Sequence, residues 1–201
     1  MRAHRGFTLI ELMITLLVAI VLLSIAIPNF SSLIKDNRIT TQVNTMVRAL
    51  QLARSTAIKR GQRVVVCRSA NSTAASPTCD TGSGSWTEGW VVFVDCNNDA
   101  QVSTGVNCSG SGTQNEPIID RGPPAPNSVT LVATGSTTDY VSYSGSGFPR
   151  LTNGLPQNGT IDFCDDRKTN NNGSPPTLWR VLTVSQTGSV QTETKDGIAC
   201  P

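Results

Sequence analysis

The chain has 201 residues, enough for one domain with an appendage. Hydrophobic residues make up 38% of it and charged residues 15%, and its formal net charge of +2 excludes the strongly basic composition of many nucleic-acid binders. The single histidine, His4, lies among the first six residues. A mature chain from which the first six residues have been cleaved has no histidine. Such a chain cannot have Ser-His-Asp or Cys-His catalysis or a histidine-ligated metal site.

The N-terminal segment begins with cations and continues as a largely apolar run. Arg2, His4 and Arg5 precede residues 7–30, in which Glu11 is the only charged side chain. An apolar run of this length can cross a bilayer as a helix, and cationic flanks stay on the cytoplasmic side. The pattern predicts a single-pass inner-membrane helix followed by a periplasmic chain.

An ordinary secretory signal peptide is the simpler alternative for this run. Residues 24–26, Ser-Ile-Ala, would supply its small-x-small cleavage site. The carboxylate of Glu11 speaks against it, because a charged side chain inside an apolar helix costs about 2.5–3.5 kcal/mol on insertion scales. Another role for Glu11 must offset that cost.

The hexapeptide GFTLIE at residues 6–11 resembles the leader junction of type IV pilins and type II secretion pseudopilins. The resemblance implies that a prepilin peptidase removes residues 1–6 by cutting after Gly6 and then methylates Phe7. Glu11 would pair with the N-terminal ammonium of a neighbouring subunit. Two desolvated charges that neutralise each other cost less than either alone.

The helix is predicted to continue beyond the membrane run. Pro28 removes one helix hydrogen bond and should kink the helix. Lys59 and Arg60 followed by Gly61 form a typical C-terminal stop. The pattern therefore predicts one helix of about fifty residues, with 7–30 in the membrane and 31–60 packed on a head. In the second half of the helix, apolar residues at three- and four-residue spacing form one face: Ile39, Val43, Met46, Val47, Leu50, Ala53 and Ala57.

Charge is unevenly distributed along the chain. Between Lys35 and Arg68 there are eight basic residues and one acid, Asp36, whereas six basic and twelve acidic residues follow Arg68. A solvated helix face accounts for the cations. The alternative is charge complementarity between neighbouring subunits in a filament.

Residues 61–201 are predicted to form a β-rich head. Eight β-rich runs each have turn-forming residues at both ends. The polar stretches 69–85, 97–114 and 165–176, which lie between runs, are predicted to form loops. We expect an α+β fold with two antiparallel sheets, in which the helix packs against one of the sheets. The runs are 62–67, 89–95, 117–121, 128–134, 139–144, 159–164, 178–185 and 189–193.

Landmarks along the chain are similar to those of the pseudopilin H / FimT-FimU-like minor pilin family. Residues 53–61 and 64–67 match the helix end and first strand, and 89–95 and 184–188 follow in the family order. The resemblance implies a structural subunit, neither an enzyme nor a cofactor binder, that moves from the inner membrane into a pilus. It would prime assembly at the pilus tip with other minor pilins and the major pilin. A pseudopilin H of a type II secretion system is the alternative.

A DNA-receptor function is a further alternative within this family. Some FimT-type members carry a late Gly-Arg-x-Arg motif that binds DNA during natural transformation. The matching positions here are Gly188, Ser189, Val190 and Gln191, so both arginines are missing. Contacts to phosphate need Lys or Arg, and the substitutions therefore argue against DNA binding by this route.

Six cysteines lie in the segment predicted to be exported. No Cys-x-x-Cys occurs, which argues against zinc, and an even count in an oxidising compartment favours disulfides. Fifteen connectivities are possible for six cysteines. Nearest-neighbour pairing predicts Cys67–Cys79, Cys96–Cys108 and Cys164–Cys200. The last pair resembles the C-terminal disulfide loop of pilins, while free or otherwise paired thiols are the alternative for the first two.

Residues 95–99, Asp-Cys-Asn-Asn-Asp, imitate the start of a calcium-binding loop. The sixth position is Ala100 where glycine is expected, and the twelfth is Val106 where a bidentate Glu is needed. We therefore predict a plain turn and no metal site. A secreted hydrolase is disfavoured as well, because the sequence offers no plausible catalytic set.

Overall fold

The computed structural model describes residues 7–82, 84–108, 115–165 and 179–195, and the side chains of residues 25–32 are not described. The chain divides into two compact units, Met1–Asn37 and Arg38–Pro201. The predicted division into 1–6, 7–30, 31–60 and 61–201 stays a prediction.

A single long helix, α1, runs from Leu9 to Arg60. It ends where Gly61 adopts a φ of 64°, a left-handed conformation that glycine takes without strain. α1 continues through Pro28 without interruption, and the predicted kink stays a prediction. The predicted apolar face is buried in the second unit, with Val47 half-buried beside it. Its buried members are Ile39, Val43, Met46, Leu50, Ala53 and Ala57.

Within the described residues, eight strands form two antiparallel sheets, which confirms the predicted fold class. One sheet has the order β3-β2-β1-β5 and the other β4-β6-β7-β8. Every predicted strand is present, with ends shifted by at most two residues. The strands are β1 Arg63–Arg68, β2 Trp90–Asp95, β3 Ile118–Gly122, β4 Val129–Gly135, β5 Tyr140–Tyr143, β6 Gly159–Asp165, β7 Trp179–Val184 and β8 Val190–Lys195.

The helix shares one hydrophobic core with both sheets, which corrects the expectation that it packs on one of them. Leu50 of α1 belongs to the same buried cluster as Val64 of the first sheet and Phe163 of the second. The opposite face of β1 and β2 is buried too, in a smaller cluster that includes Val65 and Phe93. Burial on both faces explains why β1 and β2 are almost continuously apolar.

The structure contains a short 3₁₀ turn at Trp86–Glu88 that was not predicted from the sequence. Ser85 caps it, and the Ser85 amide in turn donates to the Glu88 carboxylate at 3.3 Å. This Ser-x-x-Glu pattern is a capping-box signature that the sequence already contained. The turn also holds the second sheet, because the Leu131 amide donates to the Thr87 hydroxyl at 2.9 Å.

Tyr143 offers a test of the core. Its side chain is fully buried, and its hydroxyl has no hydrogen-bond partner in the part of the chain that the structure describes. Burial raises the pKa of Tyr143 to about 12. Because a buried hydroxyl without a partner carries a desolvation cost, Tyr143→Phe should raise the free energy of unfolding by about 1 kcal/mol. Urea denaturation of a fragment beginning at Arg38 measures this gain.

Tyr140 supplies the matched control on the same strand. Its hydroxyl accepts a hydrogen bond from the Thr152 amide at 3.2 Å. Tyr140→Phe removes that bond and should lower stability slightly. Equal effects of the two substitutions would contradict the role assigned to the Tyr143 hydroxyl.

Candidate assembly site

The first turn of α1 places Glu11 at its N-terminal end. The Glu11 amide donates to the Thr8 hydroxyl at 3.3 Å, and the Leu12 amide donates to the Thr8 carbonyl at 3.2 Å. Thr8 is thus the cap of the helix. An acidic side chain in the first turn is favoured by the helix dipole, so the position of Glu11 is compatible with the helix even without a partner.

An exposed apolar surface surrounds this end of α1. Thr15 and Ser24 are the hydroxyl residues within it, and each donates to a carbonyl of its own helix, Leu12 and Val21 respectively. These hydroxyls therefore need no outside partner. A surface of this extent needs a cover of bilayer or of neighbouring subunits. The exposed large residues are Phe7, Leu9, Ile10, Leu12, Met13, Ile14, Leu16, Leu17, Val18, Ile20, Val21, Leu22 and Leu23.

The structure leaves membrane insertion as a prediction. Among the described residues, no helix combines the length and the apolar character needed to cross a bilayer. The predicted run 7–30 extends into residues 25–30, whose side chains are not described. Gly6, the predicted cleavage site, lies outside the described residues.

In the second unit, three arginines of α1 bind the head directly. Arg38 donates to the Ser128 hydroxyl at 3.2 Å. Arg48 forms a salt bridge of 3.0 Å with Asp120 on β3. Arg54 donates to the carbonyls of Gly188 at 2.7 Å and Thr187 at 3.0 Å, in the turn between β7 and β8. All three arginines therefore have partners within the subunit, in a region where the sequence suggested only a solvated face or contacts with neighbours.

The turn between β7 and β8 is also where the DNA-binding motif would lie. The Ser189 hydroxyl is 2.7 Å from that of Ser185, and Gln191 is exposed on β8. Gly188 has a φ of 80°, and a Cβ on it would lie 2.7 Å from the Gly147 carbonyl oxygen. The turn is thus fixed by close backbone contacts and by Arg54.

Two disulfides close loops of the head, between the pairs that nearest-neighbour spacing predicts. Cys67 is bonded to Cys79 with a Cα–Cα distance of 5.5 Å, and Cys96 to Cys108 with one of 5.1 Å. Cys164 is also disulfide-bonded. Its predicted partner, Cys200, lies outside the described residues.

Arg68 holds the segment that directly follows the first disulfide. The side chain is buried and forms a salt bridge of 2.7 Å with Asp139. It also donates to the carbonyls of Asp80 at 3.2 Å, Gly82 at 2.8 Å and Gly84. This role of Arg68 was not predicted from the sequence. The available signal was a cation directly beside a cysteine at the end of an apolar strand.

The segment that imitates a calcium loop uses its carboxylates for the backbone. Asp95 accepts hydrogen bonds from the amides of Asp99 at 3.2 Å and Ala100 at 3.1 Å, and Glu116 accepts from Cys96 at 2.8 Å. Burial raises the pKa of Asp95 and of Glu116, although these amide bonds act in the other direction. Within the described ranges no group of side chains is arranged to hold a metal ion.

A helix with an exposed apolar start, joined to a head of two antiparallel sheets, defines the class of type IV pilin-like proteins. The sequence profile described as Type II transport protein GspH matches residues 42–188, and the prokaryotic N-terminal methylation motif matches residues 1–27. The chain belongs to the GspH family of pilin-like structural subunits, as its resemblance to minor pilins and pseudopilins implied. This family membership implies assembly with other pilins.

One solved structure supports the fold. A crystal structure of the type IV minor pilin FimU from Pseudomonas aeruginosa strain PAO1, in space group P21, is 18% identical in sequence. The match covers 83% of this chain and 98% of FimU, with a TM-score of 0.51. A second FimU crystal structure, in space group P65, covers 81% of this chain and 100% of its own at a TM-score of 0.48. No curated protein matches the chain significantly.

Proposed function

We propose that the protein is a minor pilin of the type IV pilus, anchored in the inner membrane and later built into the filament. The observation that carries this proposal is the exposed apolar start of α1, with Glu11 as its one charged side chain. A bilayer covers such a surface before assembly, and the helices of neighbouring subunits cover it afterwards. Movement of the helix from the membrane into the filament would also take the head from the periplasm to the cell surface.

Priming of filament assembly and a position at the pilus tip are part of the proposal. The fold shared with FimU, which is a type IV minor pilin, supports the assignment as a minor pilin. Priming and the tip position follow from the family resemblance of the sequence. Its partners would be other minor pilins and the major pilin, with the prepilin peptidase as the processing enzyme. The subunit itself would act structurally, without catalysis or a cofactor.

A pseudopilin of a type II secretion system is the second candidate, favoured by the family description Type II transport protein. Deletion of the gene, scored in parallel for pili, protein secretion and DNA uptake, separates the two. Loss of pili with normal secretion supports the minor pilin. Loss of secretion with normal pili supports the pseudopilin.

Processing after Gly6 gives the first test of the maturation pathway. Glycine offers no side chain at the cut, and the methylation motif spans this junction. Intact mass spectrometry of the membrane-extracted protein should therefore show a chain that begins at Phe7 and carries one methyl group. A mature chain beginning at Ile27 would establish the ordinary signal peptide instead and contradict the proposal.

DNA binding by the head is expected to be weak. Ser189 and Gln191 stand where the receptor motif has arginines, and Arg54 is engaged with the neighbouring carbonyls. Any residual binding should weaken steeply with salt, because it depends on phosphate contacts by cations. Fluorescence anisotropy with duplex DNA checks this for the fragment that begins at Arg38.

The double substitution Ser189→Arg and Gln191→Arg is the matched gain-of-function variant for that measurement. Two added phosphate contacts should strengthen binding and steepen its salt dependence. Tight, salt-resistant binding by the unaltered fragment would favour the DNA-receptor function instead.

A further inference from the structure

The outer face of the second sheet carries a small buried cluster, which we call the outer cluster and define by Cys164, Trp179 and Val181. It is separate from the core that both sheets share with α1, to which Phe163 contributes from the opposite face. Asp162 lies two residues before Cys164 on β6, therefore on the outer face as well, and is only 5% exposed. A sheet face becomes buried to this degree where another segment covers it.

Two buried polar atoms of this face indicate the chemistry of the cover. Trp179 Nε1 and Asp162 Oδ1 are buried without a hydrogen-bond partner among the described residues. The indole N–H needs an acceptor, and the carboxylate oxygen needs a donor. A lipid or another purely apolar cover would leave both atoms unpaired, whereas a peptide backbone carries both kinds of group. We therefore expect a polypeptide segment on the outer cluster.

The disulfide of Cys164 indicates which segment this is. Cys164 is disulfide-bonded, and no cysteine among the described residues is free. The two disulfides described above account for four of the six cysteines in the chain. Within the chain, Cys200 is therefore the cysteine left to pair with Cys164.

The register of the second sheet brings this bond close to Trp179. Lys195, the last residue of β8, is paired with Trp179 at the start of β7, and its ammonium lies 5.9 Å from the centre of the indole ring. Cys164 directly follows the last position of β6 that pairs with β7, so it continues the same row. Two strand spacings span about 10 Å. The five steps from Lys195 to Cys200 reach about 17 Å at most, so the chain has to take a short path across the row.

We propose that the C-terminal segment 196–201 docks on the outer cluster and is held there by a Cys164–Cys200 disulfide. The sequence of this segment is Asp-Gly-Ile-Ala-Cys-Pro, which places the apolar residues Ile198 and Ala199 midway along the path. These side chains would pack on the outer cluster, while the backbone of the segment pairs with the two buried polar atoms. The bond would also fasten the end of the exposed edge strand β8 to the interior strand β6.

The stretch 166–178 is the alternative cover. It too lies outside the described residues, but it is largely polar, with three consecutive asparagines at 170–172, and provides few side chains for an apolar contact. The inference concerns contacts within one head. It is therefore independent of whether the subunit serves a pilus or a secretion system.

Hydroxyl-radical footprinting of the full-length chain, analysed by mass spectrometry, tests the docking. Removal of residues 196–201 combined with Cys164→Ser, which leaves no free thiol, should raise the oxidation of Trp179 about fivefold or more, because the exposed fraction of its side chain increases from 6%. Trp86 and Trp90 are buried in the shared core and serve as internal controls that should stay protected.

Two measurements separate the disulfide from the segment itself. Tryptic digestion without reduction should release residues 151–167 linked to residues 196–201. The matched variant Cys164→Ser with Cys200→Ser keeps the segment but removes its tether, so it should raise Trp179 oxidation less than the truncation does. A bond between Cys164 and any other cysteine would contradict the proposal.

A photoreactive residue at Ile198 tests the same contact with the segment in place. It should crosslink to the tryptic peptide 169–180, which contains Trp179. Unchanged oxidation of Trp179 after the truncation would show that another segment, such as 166–178, covers the outer cluster. If all three tryptophans become oxidised, the truncation has unfolded the head and the crosslink decides. Crosslinks from position 198 to other parts of the head alone would then overturn the proposal.

Discussion

Glu11→Ala should reduce incorporation of the subunit into filaments by about a hundredfold. In the assembled state the carboxylate is expected to neutralise the N-terminal ammonium of a neighbour within an apolar environment. Removing one partner of such a buried pair costs about 3–5 kcal/mol, because the remaining charge is left uncompensated. Quantitative immunoblotting of sheared filaments against the membrane fraction measures the change.

Two further observations make this result specific. Cleavage and membrane insertion should be unaffected by Glu11→Ala, since removing a charge makes insertion easier. Thr8→Val is the matched control, because it removes the hydroxyl that caps α1 but keeps the carboxylate. Loss of a cap costs about 1 kcal/mol, so Thr8→Val should affect incorporation far less. Normal incorporation of Glu11→Ala would exclude the pairing role.

The fold was predictable from local patterns because its elements follow local rules. β1 and β2 are apolar runs with turn-forming residues around them, and α1 shows apolar spacing that ends at Gly61. The error about the helix has a physical reason as well. Periodicity shows that a face is buried, but the partner of that face depends on where both sheets fold, as with Leu50 and Phe163 in one core cluster.

The polar contacts of the head were not predictable in the same way. Arg54 and the Gly188 carbonyl are 134 positions apart, and nothing in either local sequence indicates the other. The carboxylate of Glu116 accepts hydrogen bonds from the amides of Cys96 and Ser103, which lie 20 and 13 positions away in the sequence. Such contacts follow from the tertiary arrangement, which single-sequence patterns do not contain.

Arg68→Met should lower the free energy of unfolding of the head by about 3 kcal/mol. Methionine keeps the length and most of the apolar contact of the side chain but removes every donor. Three carbonyls, those of Asp80, Gly82 and Gly84, then lose a charged donor, and Asp139 loses its counter-ion. Asp139 and Gly82 are accessible to water, whereas the residues Asp80 and Gly84 are half-buried, so the loss comes mainly from the carbonyls of these two residues.

Urea denaturation of the fragment beginning at Arg38, with its disulfides kept oxidised, measures this loss against a matched control. Arg121→Met removes a cation that is exposed and donates to one carbonyl, that of Ala74 at 2.6 Å. Because water replaces that single hydrogen bond, Arg121→Met should change the free energy of unfolding by no more than about 0.5 kcal/mol. Proteases should also cut near Gly82 faster in Arg68→Met than in the parent, because Gly82 follows Cys79 and lies outside the loop that the Cys67–Cys79 bond closes. Equal stabilities of the two variants would show that the hydrogen bonds of Arg68 do not stabilise the head.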